Sequence, residues 1–133
     1  MKKKLKLIIL IDDDIDTNFY NKIIIENMNI TETIKSFQNG KLALDFLISK
    51  DTNIQPEIIF LDINMPIMNG WEFLYHYNKL PKEQQSKILI AMLTSSINYE
   101  DKDKALSEGI VKEFINKPLT NEIIDKIIDT YFT

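Results

Sequence analysis

Hydrophobic positions in this chain come in blocks. Leu5 to Ile11 is apolar apart from Lys6, Ile58 to Leu61 is wholly apolar, and Lys87 to Leu93 is apolar beyond its first residue. Runs this uniform predict strands buried on both faces, as in a parallel sheet. Thr33 to Phe37 and Glu113 to Ile115 are shorter and more polar, so the first is expected at a sheet edge and the second as a short fifth strand.

Between these runs the spacing changes to a helical one. With Asp16 or Thr17 as the expected N-cap, Phe19, Tyr20, Ile23, Ile24 and Met28 form an apolar stripe. After the Asn39-Gly40 break, Leu42, Ala43, Phe46 and Leu47 predict a second helix, and Trp71 to Asn78 a third, followed by a loop at Pro81. A charged helix is expected from the Thr94-Ser95-Ser96 turn to about Glu108, ended by Gly109. Leu119, Ile123, Ile124, Ile127, Ile128 and Tyr131 mark the last. Residues 51–56 read as loop.

Five strands alternating with five helices predict an α/β fold, a doubly wound parallel sheet with helices on both faces. Such sheets bind ligands beyond the carboxyl ends of their strands. The strand endings are therefore diagnostic: Asp12 and Asp13 after the first, Asp62 at the third, Thr94 at the fourth and Lys117 at the fifth.

Composition narrows the chemistry. At 133 residues the expectation is one domain spanning 1–133, closing one helix after Lys117 with no output domain attached. There is no cysteine, which removes disulfides, thiolate metal sites and cysteine nucleophiles and suits a cytoplasmic setting. The run Lys2 to Lys4 precedes an apolar stretch broken by Lys6 and closed by three aspartates, unlike a signal peptide. The net charge is −4 and the lysines are scattered, so neither direct nucleic-acid binding nor membrane attachment is expected. No arginine is present, so phosphate chemistry here must rely on lysine, hydroxyls, backbone or metal.

Gathering Asp12, Asp13 and Asp62 on one rim is costly, since two unit charges about 4 Å apart repel by roughly 4 kcal/mol at an effective dielectric near 20. A cation is required. An all-oxygen donor set calls for a hard ion, and Mg²⁺ suits a few carboxylates that leave room for water and a phosphoryl oxygen. Lys117 adds a second positive charge, the Thr94 hydroxyl can donate to a phosphoryl oxygen, and Asp62 is placed as a carboxylate nucleophile forming an acyl phosphate.

These residues lie in Leu-Ile-Asp-Asp-Asp after the first strand, Leu-Asp-Ile-Asn-Met-Pro-Ile-Met-Asn-Gly around Asp62, Leu-Thr-Ser-Ser after the fourth and Phe-Ile-Asn-Lys-Pro after the fifth. Together they resemble the receiver domain of two-component response regulators, and the match covers nearly the whole chain. The resemblance implies a flavodoxin-like sheet of order 2-1-3-4-5 and phosphoryl transfer to Asp62 from a sensor histidine kinase or histidine phosphotransfer protein. It implies Mg²⁺ held by Asp13, Asp62 and the backbone carbonyl of Asn64, with Asp12 acting through water. A second register, Asp13 with Asp14, is open in the sequence; Ile11 as the last buried residue favours Asp12 with Asp13. By the same resemblance the Lys117-Pro118 peptide is cis, Thr94 and Phe114 form a switch pair, and Asn64 and Ser96 tune phosphate lifetime. The output is then a changed interaction surface on the fourth helix, fifth strand and fifth helix. Its target is an unidentified protein, with a phosphorylation-dependent homodimer also compatible, and the only chemistry is the protein's own phosphorylation and dephosphorylation, not turnover of an outside substrate.

Two other classes share some of these features. A haloacid dehalogenase-type phosphatase also forms an aspartyl phosphate with Mg²⁺, but its Asp-x-Asp-x-Thr pattern is absent, Asp16 following Asp12-x-Asp14. A pseudo-receiver would bind partners without phosphorylation, against which all five key positions are intact. A calcium loop beginning at Asp12, Asp14 and Asp16 is excluded by Thr17 and Ile23 at the glycine and glutamate positions. His76, Trp71, Tyr75 and Tyr77 are read as packing or surface residues of the third helix.

Overall fold

The computed structural model describes residues 4–49, 55–85, 88–107 and 109–132. Residues 51–54 of the expected loop, Lys87 and Glu108 lie outside them. Five strands, β1 (Leu5–Ile11), β2 (Thr31–Phe37), β3 (Ile58–Asp62), β4 (Leu89–Thr94) and β5 (Val111–Asn116), form one parallel sheet of order β2-β1-β3-β4-β5. The helices are α1 (Ile15–Met28), α2 (Gly40–Ile48), α3 (Gly70–Tyr77), α4 (Lys82–Gln85), α5 (Tyr99–Ser107) and α6 (Asn121–Tyr131). The short α4 occupies what the sequence presents as the Pro81 loop.

The apolar runs are continuous because each central strand feeds two cores. Ile9, Ile59, Leu61, Ile90 and Met92 pack towards α2, α3 and α5, with Ala43, Leu44, Phe73, Leu74 and Ala105. Their neighbours Ile8, Leu10, Ile58, Phe60, Ala91 and Leu93 pack on the opposite face with Ile25 of α1 and Ile124, Ile127 and Ile128 of α6. All five residues of β3 are buried, whereas β2 at the edge is only half covered.

Two expectations for α1 are corrected. Its N-cap is Asp14, whose side chain accepts from the amides of Asp16 and Thr17. Three consecutive aspartates place an N-cap side chain earlier than the apolar spacing suggests. The stripe is also rotated: Ile15, Phe19, Tyr20 and Ile23 are exposed, while Asn18, Asn21 and Ile25 are buried. Asn18 earns its burial through hydrogen bonds, its Nδ2 donating to the carbonyls of Asp12 at 2.8 Å and Phe37 at 3.3 Å.

At α3 the cap is a reciprocal box. Asn69 accepts from the Glu72 amide while the Glu72 carboxylate accepts from the Asn69 amide, so the helix starts at Gly70. A Cβ on Gly70 would fall 2.7 Å from the carbonyl oxygen of Asp62 and 2.9 Å from Cα of Ile63. Glycine lets the helix rest directly on the end of β3.

Candidate functional site

Parallel register and strand length bring the polar strand endings to one rim. Asp12 directly follows β1 and Asp62 ends β3; because Ile11 pairs with Leu61, the next residues along, Asp12 and Asp62, stand side by side. Thr94 ends β4, and Lys117 directly follows β5. The Lys117 amide donates to the Thr94 carbonyl at 2.7 Å, and the Lys117–Pro118 peptide is cis.

Charge is concentrated here. The Lys117 ammonium donates to Oδ2 of Asp12 at 2.7 Å and lies 3.1 Å from Oδ1 of Asp62. Asp12 and Asp62 are 3% and 6% exposed, so both carboxylates have lost most of their water. The other oxygen of Asp12 accepts from the Asp14 amide at 2.9 Å. Burial, followed by the charge of Asp12, pushes the Asp62 carboxyl up to about 6, although Lys117 pulls it down. For Lys117, burial acts to lower the ammonium, but the hydrogen bond and charge of Asp12, then those of Asp62, outweigh it and the net direction is up.

One lysine does not balance three carboxylates. Asp12, Asp13 and Asp62 each offer an oxygen within 4.8 Å of the others, and Asp13 is exposed to solvent. The donor set is purely carboxylate, without a nitrogen or sulfur ligand, and fits a small divalent cation of the Mg²⁺ type. Asp14 stands apart from this group as the cap of α1.

The remaining sequence candidates are not drawn into the cluster. Thr94 is buried, but its hydroxyl donates to the Ser96 carbonyl at 3.0 Å and accepts from the Ser96 amide at 3.2 Å. Phe114 is half-buried and packs against the α2, α3 and α5 side of the core. Asn64 and Ser96 are exposed.

Asn18 and Gly70 support the site without having been found by reading motifs. Asn18 holds the Asp12 carbonyl from six residues away, a spacing with no motif attached, and its own Oδ1 is buried without a partner among the described residues. Gly70 was legible as a turn residue but not as the contact between α3 and the phosphoacceptor-like strand end; the Asn69-x-x-Glu72 box was the available signal for the helix start. A further outlier is Ile67, whose φ of 69° is rare for a β-branched residue, in a turn where the Met68 amide donates to the Pro66 carbonyl at 2.7 Å.

A sequence model of the response regulator receiver domain matches residues 8–129. The chain belongs to that family, a signalling module of two-component systems. A two-component response regulator of Cytophaga hutchinsonii is 32% identical, with a TM-score of 0.89 over 97% of this chain and 98% of the other. A protein-glutamate methylesterase/protein-glutamine glutaminase of Desulfotalea psychrophila is 37% identical over 77% of this chain, but the match spans 27% of that protein. The hybrid signal transduction histidine kinase I of Dictyostelium discoideum is 32% identical over 70% of this chain and 5% of its own length. The chain thus spans a small fraction of these two larger proteins. Among the described residues no helix is long and apolar enough to cross a membrane.

Proposed function

We propose that Asp62 is the phosphoacceptor of this receiver, taking a phosphoryl group from a phosphohistidine on a histidine kinase or phosphotransfer protein. The observation that carries this reading is the Lys117 ammonium bridging two buried carboxylates, 2.7 Å from Asp12 and 3.1 Å from Asp62, beside the exposed Asp13. An oxygen of Asp62 attacks phosphorus, the phosphorus–nitrogen bond to the imidazole breaks with its electron pair leaving on the ring, and an acyl phosphate results. Lys117 stands to neutralise the transferred oxygens, and Asp12 orients Lys117. Mg²⁺, held by Asp13, Asp62 and the Asn64 carbonyl with Asp12 acting through water, would supply further charge neutralisation of the phosphoryl group.

Thr94 and Phe114 are the proposed switch pair. The Thr94 hydroxyl now spends its hydrogen bond on Ser96, and a phosphoryl oxygen on Asp62 competes for it, freeing space into which the half-buried Phe114 ring turns. Asn64 and Ser96, both exposed at the rim, are the positions from which access of water to the acyl phosphate is tuned. The output is a changed surface on α5, β5 and α6, read by a partner protein or a second copy. The chemistry is confined to the protein's own phosphorylation and dephosphorylation.

The test is incubation with acetyl phosphate and Mg²⁺, followed by intact-protein mass. Wild type gains one phosphoryl group and Asp62→Ala gains none. An unmodified wild type would favour a pseudo-receiver, and a modification that survives Asp62→Ala but disappears with Asp12→Ala would move the acceptor to Asp12.

A further inference from the structure

A groove of about 330 Å³ runs between α3 and α5, away from the carboxylates. Its apolar lining includes Leu74, Ala105 and Val111, each buried in the core behind it. Above them stand two aromatic and lysine pairs. The Lys104 ammonium is 4.4 Å from the centre of the Trp71 ring, and that of Lys79 is 4.3 Å from the centre of the Tyr75 ring. Tyr75 is 60% exposed. Among the described residues neither ammonium is in an ion pair, and no carboxylate lines the groove, in a chain whose net charge is −4. Two cations, unpaired among the described residues and standing above an apolar floor, are complementary to a ligand with one bulky apolar group flanked by negative charge.

Both walls are rooted at the rim. α3 begins at Gly70, whose amide donates to the Ile63 carbonyl at 2.7 Å and where an added Cβ would fall 2.7 Å from the Asp62 carbonyl oxygen. α5 is the helix that follows the Thr94 turn.

We propose that the α3/α5 groove is a docking site for an acidic segment of a partner protein, with a leucine or phenylalanine inserted between Trp71 and Ala105 and flanking carboxylates on Lys79 and Lys104. This rests on the reading that the receiver's output is a protein interaction, and it places the contact on the α3 side of α5, with Trp71 and Tyr75 of α3 facing Lys104 and Ala105 of α5. A nucleotide offers the same pairing of anion and flat apolar body, but the groove's aliphatic floor favours a side chain.

Trp71, the single tryptophan, lies in the groove and reports on it by fluorescence. The probes are nine-residue peptides with glutamates flanking one varied central residue, the same set with lysines, and adenosine monophosphate. Glutamate peptides centred on leucine or phenylalanine are expected to shift Trp71 emission saturably, at least tenfold more tightly than the serine-centred one. K79E/K104E should weaken them tenfold or more, and Asn78→Phe, which narrows the groove from its exposed edge, should do the same without reversing charge or adding a second tryptophan. No discrimination among central residues, equal binding by lysine peptides, or binding untouched by both variants overturns the proposal, as does saturable binding of adenosine monophosphate with no peptide binding. Peptide binding by Asp62→Asn and phosphorylation of K79E/K104E are measured separately, so loss of the groove leaves the phosphoacceptor reading standing and loss of phosphorylation leaves the groove standing.

Discussion

The two halves of the rim are in different states of assembly. On one side Asp12, Asp62 and Lys117 are locked together by contacts of 2.7 and 3.1 Å. On the other, Thr94 is buried at its strand end, yet its hydroxyl is satisfied within its own turn and Phe114 is only half covered. Asp62 and Thr94 both end fully buried strands, β3 and β4, so strand burial is not what separates them. The difference is charge: opposite charges with little water find each other across the sheet, whereas a hydroxyl is content with the nearest carbonyl. On the proposed reading, the negative charge of a phosphoryl group on Asp62 is what gives the second half reason to move.

Removing Lys117 strikes the assembled half hardest. Lys117→Met leaves two buried carboxylates facing each other, and phosphorylation by acetyl phosphate should slow by about 100-fold or more, as for loss of a preorganised positive donor. In EDTA the same variant should lose about 3 kcal/mol of stability, measured by urea unfolding, and recover much of it when Mg²⁺ is added. A rate near that of wild type would show that the ion pair is not part of the chemistry.

Asp62→Asn acts in the opposite sense on stability. The Asp62 carboxyl has its pKa raised from 3.8 to about 6 on folding, so the folded state binds the proton more tightly than the unfolded one. That contribution is fully present below about pH 4 and is lost as pH rises through about 6. In metal-free buffer Asp62→Asn should therefore be more stable than wild type above pH 6, by at most about 3 kcal/mol, with the gap closing towards pH 4. A pH-independent difference would contradict the cause assigned to the shift.

Thr94→Ala tests the unassembled half. Phosphorylation should slow only a few-fold, because one neutral donor is worth about 1 kcal/mol, while the NMR response of the Phe114 ring to phosphorylation should vanish. If the rate instead falls as far as in Lys117→Met, the two halves are not separable. The smallest effect concerns the turn after Asp62: Ile67→Asn, better suited to a φ of 69°, should stabilise the protein by about 1 kcal/mol in thermal unfolding.

The strands were legible because parallel sheets demand apolar residues on both faces, and the rim was legible because strands must stop where they meet water. α1 was not, since counting apolar positions assigned Phe19, Tyr20 and Ile23 to the core, where the structure puts Asn18 and Asn21. A buried amide whose Nδ2 is held by the carbonyls of Asp12 and Phe37 leaves no trace in hydrophobic spacing. The same holds for α3, whose start depends on a box of hydrogen bonds, and for the Thr94 hydroxyl, whose present partner in Ser96 is a matter of loop geometry.

The contact between Lys117 and Asp12 joins residues 105 positions apart. On a growing chain, β1 and β3 emerge with their carboxylates well before the ammonium that steadies them, and domains fold as units during synthesis. A ribosome-bound fragment that ends before Lys117 therefore carries the aspartates without the ammonium that pairs with them, and the charge cluster is completed only with the finished sheet.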